Sequence, residues 1–242
     1  MITVKPYEKV SMIYKGMMHK LDYISWSKYI LLIGEGHIHS DSNILELGSG
    51  SCEMANLISE NYKNYVATDI SLQMLRSSEK SILKRVCCDM TILPIKTKFD
   101  FIFSAFDSVN YILKKKSLAS LFSEVSRLLC DDGIFTFDVS LEENSLNFII
   151  SKITEDRHNG YSYRMISKYN KRSRIHSNNF YIWNEDGDKY NEMHKEKIYE
   201  IDTYFELAER AGLYTAACYD CFDFEDVKEN SKRAQFIMRK IN

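Results

Sequence analysis

The sequence predicts an α/β fold, a Rossmann-like doubly wound seven-stranded sheet whose last strand is antiparallel. An N-terminal helical cap and a small antiparallel β insertion after strand five complete the prediction. Three observations support it. Short apolar runs alternate with helical periodicities from Ile44 to Ser140, the rhythm of βαβ units. The first run breaks at Glu46-Leu47-Gly48-Ser49-Gly50 into a two-glycine turn ahead of a helix. From about Ser162 to Tyr199 the rhythm changes to strands joined by the turn Asn184-Glu185-Asp186-Gly187-Asp188.

Length and charge narrow the class. A chain of 242 residues suffices for one domain with a full core. A net charge of -2 gives no global field favouring nucleic acid or an anionic membrane. No run approaches a membrane span, and Met1–Pro6 lacks the basic and apolar regions of a signal peptide. Cys52, Cys87, Cys88, Cys130, Cys218 and Cys221 are scattered and read as structural thiols of a reducing cytoplasm.

The elements follow in order. Residues 7–33 carry helical periodicity through Val10, Ile13, Tyr14, Met17 and Leu21, then Ile24, Tyr29, Ile30 and Ile33, until Gly34-Glu35-Gly36 ends it. A preamble this apolar is expected to pack over the open edge of the ligand site. Ile44–Leu47 is the first buried strand. Gly48 and Gly50 lack Cβ atoms and let a ligand approach the backbone. The helix from about Cys52 to Glu60 is expected to aim free N–H groups at that ligand. Asp69 ends the second run, Tyr65–Asp69, about 20 residues downstream, where an acid meets ribose hydroxyls. A dinucleotide loop needs glycine where Glu53 stands, and a phosphate loop needs a lysine that is absent. The turn therefore suits a nucleoside without phosphates, or is a plain turn of a Rossmann-like domain.

Ser71 is a helix N-cap, and Ile70 and Met74 are placed to cover an adenine ring. The third strand, Arg85–Asp89, ends in an acid facing the ligand crevice of an α/β sheet, unless that acid caps the next turn. The fourth, Phe99–Ala105, runs into a polar segment ending at Tyr111. An amphipathic helix over Ser117–Cys130 and the turn Asp131-Asp132-Gly133 lead to strand five, Gly133–Ser140. The helix Asp202–Leu213 precedes a hairpin of Leu213–Phe222 with Arg233–Arg239.

Glu46-Leu47-Gly48-Ser49-Gly50 followed by Asp69 resembles the first two motifs of the class I S-adenosylmethionine-dependent methyltransferases. Tyr7-Glu8 with Tyr14, and Leu21-Asp22-Tyr23-x-x-Trp26, resemble the N-terminal cap of small-molecule methyltransferases, including those that dimethylate amino sugars. Ser104-Ala105-Phe106-Asp107-Ser108-Val109-Asn110-Tyr111 resembles the segment in which that subgroup carries Asp-Ser-Leu-Asn-Tyr. The resemblance covers essentially the whole chain. It departs at Lys15, where the subgroup usually has Asp, and at Asp131-Asp132-Gly133 in place of Lys-Pro-Gly-Gly. It implies a cap over the active site at 1–40, an S-adenosylmethionine-binding domain at 41–242 and a substrate cover at 160–200. It implies S-adenosyl-L-methionine as cofactor and S-adenosyl-L-homocysteine as product. Cofactor contacts are expected from Tyr14, Glu46, Gly48, Ser49, Gly50 and Asp69, from Ile70, Met74, Asp89 and Met90, and from Ser104 and Phe106. Acceptor contacts are expected from Tyr23, Trp26, Asp107, Asn110 and Tyr111, and from Phe180 and Trp183 of the aromatic insertion.

Methyl transfer from a sulfonium is an in-line displacement, so the protein mainly aligns the nucleophile and excludes water. With no evident metal site, the expected reaction is methylation of an amine nitrogen of a small molecule or short peptide. Tyr14, His194 and Asp107 are the candidate proton acceptors. A small-molecule O-methyltransferase is the nearest alternative. A catalytically silent cofactor-binding or scaffolding protein and a nicotinamide-dependent oxidoreductase are more distant ones. No nucleic-acid or membrane partner is expected, and monomer and homodimer both stand open.

Overall fold

The computed structural model describes residues 1–78 and 83–241. In chain order its elements begin with β1 (Ile2–Val4), α1 (Val10–Met17), α2 (Tyr23–Ile33), β2 (Ile44–Leu47), α3 (Glu53–Ile58), β3 (Tyr65–Asp69), α4 (Leu72–Arg76) and β4 (Lys84–Cys87). β5 (Phe99–Ser104), a 3₁₀ turn over Ser108–Tyr111, α5 (Lys115–Leu128), β6 (Leu129–Ser140) and α6 (Glu142–Leu146) follow. The chain closes with β7 (Lys152–His158), β8 (Tyr161–Asn170), β9 (Ile175–Asn184), β10 (Lys189–Lys197), α7 (Ile201–Arg210), β11 (Leu213–Asp220) and β12 (Arg233–Lys240).

The main sheet has seven strands in the order β11-β12-β6-β5-β2-β3-β4. β2 to β6 run parallel, and β12 runs antiparallel to both its neighbours. This is the Rossmann-like sheet the alternating runs predict. Its interior strand β2 is buried at every position, as a strand covered by helices on both faces must be. Strand alternation divides the apolar side chains between two cores. Leu45, Leu47, Phe135 and Phe137 meet α5 and α7 on one face, while Ile44, Phe101 and Phe103 meet α2 and α3 on the other. The pattern Leu118, Leu121, Phe122, Val125 and Leu128 is the buried stripe of α5. β6 starts earlier than the turn at Asp131–Gly133 suggests, and its register with β5 shifts between Phe99 and Phe101.

The second sheet has five strands, in the order β1-β10-β9-β8-β7. β8, β9 and β10 occupy the stretch where the sequence changes to strands. β7 precedes the expected insertion, and β1 joins from the N-terminus, pairing parallel to β10 through Ile2↔Tyr190 and Val4↔Glu192. Residues 1–40, read as one helical cap, therefore divide. β1 and α1 join the insertion sheet, where Val10 and Ile13 pack with Tyr163, Phe180 and Ile182. α2 joins the main domain through Trp26, Tyr29, Ile30 and Ile33, its start capped by Asp22, which accepts from the Ser25 N–H at 3.0 Å.

Candidate functional site

A cavity of about 380 Å³ opens between the carboxyl ends of β2, β3 and β5 and the inner side of the N-terminal segment. That is where an open α/β sheet binds ligands, and the volume is that of a small-molecule site. Its floor is the turn after β2. Gly48 and Gly50 stand at φ +70° and +53°, in the left-handed region that a side chain disfavours. A Cβ on Gly48 would lie 2.8 Å from the Cβ of Ser108 and 3.2 Å from the Met90 methyl. The absent side chain is thus part of the cradle. α3 is short, and its N-cap Cys52 is itself left-handed at φ +62°.

Asp69 braces the same turn. Its Oδ2 accepts from the Gly50 N–H at 2.8 Å and its Oδ1 from the Ser71 N–H at 2.7 Å. A carboxylate has about four lone-pair positions, so acceptor capacity remains toward the cavity. Burial raises its pKa, against the backbone N–H groups that lower it. Ser49 on the same floor donates its N–H to the Thr68 carbonyl at 2.8 Å. Ile70, Met74, Asp89 and Met90 line the next wall. Asp89 also accepts the Thr91 N–H at 2.8 Å, so it both caps a turn and borders the cavity.

Aromatic rings close the opposite side: Tyr7, Tyr14, Tyr23, Phe106 and Tyr111. Tyr14 reaches it from α1, in edge contact with Tyr7 at 6.0 Å. Burial holds the phenols of Tyr7, Tyr14 and Tyr111 well above the usual range and pushes that of Tyr23 up to about 12. These hydroxyls are therefore neutral at physiological pH. Phe106 is backed by Trp26 at 4.6 Å and flanked by Tyr23 at 5.5 Å.

Other expected site residues stand off the cavity. Glu46 is buried behind the turn, where its carboxyl accepts from the Tyr65 hydroxyl at 2.7 Å. Ser104 donates to the Leu47 carbonyl at 2.9 Å inside the sheet. Asp107 points away, its carboxylate paired with Arg233 at 2.9 Å, so it is not placed as a base in the cavity. Asn110 is wholly buried as a tie between segments, donating to the carbonyls of Ser140 and Lys197 and accepting the Ser140 N–H at 2.9 Å. Phe180 belongs to the core of the insertion sheet, and Trp183 lies on its outer side with Arg164, Ile166 and Tyr181. Strand alternation is the reason, because Phe180 and Ile182 face in and Trp183 faces out. Trp26 supports Phe106 from behind, and His194 lies behind Tyr111, at 3.2 Å from its hydroxyl.

Tyr7, Glu53, Ser108, Thr91 and Lys114 line the cavity without having been singled out as site residues. Tyr7 had a signal, since it opens the motif that carries Tyr14. Ser108 had another, since it lies in the distinctive segment after β5.

Glu46 yields a pH prediction. Burial raises its pKa from 4.5 to about 8. The folded state thus keeps a proton that the unfolded chain releases. That stabilisation is fully present below the unfolded pKa and is lost as pH rises through the folded one. Between pH 5 and pH 8 the wild-type protein should lose more stability than Glu46→Gln, measured as urea midpoints. Parallel pH profiles would show that Glu46 does not hold the proton.

The comparisons with known proteins bear on this site. Residues 45–137 match the family model described as a methyltransferase domain. The chain is 24% identical over 248 residues to the putative methyltransferase YqeM of Bacillus subtilis (strain 168), covering 97% of each chain. Among solved structures it resembles an S-adenosylmethionine-dependent methyltransferase from Clostridium acetobutylicum, with a TM-score of 0.82 and 23% identity, covering 98% of this chain and 99% of that one. It also resembles the sugar N-methyltransferase KedS8 from a Streptoalloteichus species, with a TM-score of 0.77 and 14% identity, covering 97% of this chain and 94% of that one.

Proposed function

The chain carries a methyltransferase domain in the class I S-adenosylmethionine-dependent methyltransferase fold, and on that premise we propose that it methylates an amine nitrogen of a small molecule or short peptide. The residues present fit S-adenosylmethionine. The Gly48 cradle leaves room against the backbone, Asp69 keeps acceptor capacity for ribose hydroxyls, and Asp89 borders the adenine side with Ile70 and Met74. The bound cofactor supplies an activated methyl group on a sulfonium.

The observation that carries the amine reading is the tyrosine wall. Tyr7, Tyr14, Tyr23 and Tyr111 face the cavity as neutral phenols. A neutral amine already presents a nucleophilic lone pair, whereas a hydroxyl asks for a strong base beside it. Aromatic faces also favour the cationic centres on either side of amine methylation, by about 0.5–2 kcal/mol each. Holding the nitrogen behind the methyl and excluding water supplies on the order of 7–11 kcal/mol at best. Sugar N-methylation by a structural neighbour supports the reading. A cytoplasmic location is part of the same proposal. It is supported by six free cysteines, and among the described residues no helix is long and apolar enough to cross a membrane.

The test is a thermal-shift screen of amino sugars, aliphatic amines, amino acids and short peptides with S-adenosylhomocysteine present, since binding raises apparent stability by mass action. Hits are then assayed for release of S-adenosylhomocysteine from S-adenosylmethionine. Turnover on amines, lowered in Tyr14→Phe more than cofactor affinity is, is the expected outcome. Turnover confined to hydroxyl acceptors would replace the reading with O-methylation. Binding without turnover on any acceptor would point to a silent cofactor-binding protein.

A further inference from the structure

Behind the tyrosine wall lies a hydrogen-bonded chain that runs from the cavity into the insertion sheet. The Tyr7 hydroxyl donates to the Tyr111 hydroxyl at 2.8 Å, Tyr111 Oη lies 3.2 Å from His194 Nδ1, and His194 Nε2 lies 2.8 Å from Glu192 Oε1. Tyr7 and Tyr111 border the cavity, while His194 and Glu192 are buried, with exposures of 2% and 0%. Positions 192 and 194 of β10 face the same way because strand side chains alternate.

The chain has a direction. Glu192 accepts three backbone N–H groups: Tyr7 at 2.5 Å, Lys9 at 2.8 Å and Val10 at 3.0 Å. Backbone N–H groups only donate, so this carboxylate acts as an acceptor on both oxygens. With Glu192 as acceptor, His194 presents a proton on Nε2, and in the neutral ring Nδ1 then carries the lone pair. Tyr111 donates to that lone pair, and Tyr7 donates to Tyr111. The Tyr7 oxygen keeps its acceptor capacity, and the Tyr7 side chain borders the cavity.

We propose that Tyr7, Tyr111, His194 and Glu192 form a proton path that takes up the proton an amine acceptor sheds on methylation. The inference rests on the amine reading above. As the nitrogen–carbon bond forms, the carbon–sulfur bond breaks and its electron pair leaves on sulfur. The new ammonium gives one N–H proton to Tyr7 Oη. Tyr7 passes its own proton to Tyr111, and Tyr111 passes its own to His194 Nδ1. The path ends as an imidazolium beside the Glu192 carboxylate, and both phenols regain their starting form. Tyr7 is the catalytic residue of this path. Tyr111, His194 and Glu192 act through it as positioning residues. Glu192 has a second task, since its bonds to residues 7, 9 and 10 hold the N-terminal segment shut over the cavity.

Histidine ¹⁵N NMR at pH 8 with S-adenosylhomocysteine bound tests the direction without an acceptor. His194 should be protonated on Nε2, and in Tyr111→Phe its Nδ1 resonance should move toward that of a free ring nitrogen. That movement assigns the signal even where His194→Gln does not fold. A ring protonated on Nδ1 would reverse the chain and overturn the path. On an amine from the screen that the wild-type protein methylates, Tyr7→Phe and Tyr111→Phe should each lower kcat about ten-fold or more, leaving KM for S-adenosylmethionine within about two-fold. Unchanged kcat in either variant would also overturn the path. A wild-type protein that methylates no amine removes the amine reading and the path's cargo together, a result distinct from slow or unslowed variants.

Discussion

Replacing Arg233 with methionine should destabilise the protein by roughly 3–5 kcal/mol, the cost of stranding a buried charge. In a chain of 242 residues that lowers Tm by on the order of 10 °C. Arg233 bridges two carboxylates, Asp107 at 2.9 Å and the wholly buried Asp138. Asp138 Oδ2 also accepts the Asp107 N–H at 2.9 Å, while its Oδ1 has no hydrogen-bond partner among the described residues. Burial raises the Asp138 pKa, opposed chiefly by Arg233; the two carboxylates hold the guanidinium up against its own burial. The triad also secures a strained turn. Phe106 and Asp107 both lie at positive φ, +60° and +49°, at about 1–3 kcal/mol each. Releasing it should therefore loosen Phe106, a cavity wall, and weaken S-adenosylhomocysteine binding as well. Arg233→Met with Asp138→Leu should recover part of the lost stability, because the wholly buried charge of Asp138 is then gone and only the part-exposed Asp107 is left unpaired. A urea midpoint unmoved by Arg233→Met would place the triad among surface ion pairs of little worth.

What the sequence disclosed follows the range of the interactions. The glycine turn, Asp69 and Asp89 were legible because each depends on a few neighbours: a strand end, a positive φ, a carboxylate two residues from the N–H it accepts. The parallel sheet was legible for the same reason, through local periodicity. Asp107 is held off the cavity by Arg233, 126 positions away, and no local pattern joins the two. Glu192 was missed because it accepts the Tyr7 N–H across 185 positions. The division of residues 1–40 has the same origin, since β1 pairs with β10 from the far side of the chain. Trp183 is a different case. Its outward direction follows from alternation with Phe180 and Ile182, a local signal that the aromatic composition of the insertion obscured.

Asp69→Ala should weaken S-adenosylhomocysteine binding by about 1–3 kcal/mol, a loss of roughly 5- to 150-fold in affinity by calorimetry. Two effects contribute, and they are separable. The variant removes the acceptor proposed for the ribose, and it frees the Gly50 and Ser71 N–H groups that now pin the turn at 2.8 and 2.7 Å. An analogue of S-adenosylhomocysteine lacking both ribose hydroxyls isolates the first effect as a double-substitution cycle. Wild-type protein should bind this analogue more weakly than the parent, and Asp69→Ala should bind the two nearly alike. A variant that still discriminates as the wild type does would remove Asp69 from the ribose and leave it only as the brace of the turn. The pH dependence supplies an independent check. Burial raises the Asp69 pKa above its usual 3.8, so the carboxylate proposed to accept from the hydroxyls is lost at a higher pH than in a free chain. Affinity for S-adenosylhomocysteine should therefore fall as pH drops through that raised value, and the fall should be absent in Asp69→Ala.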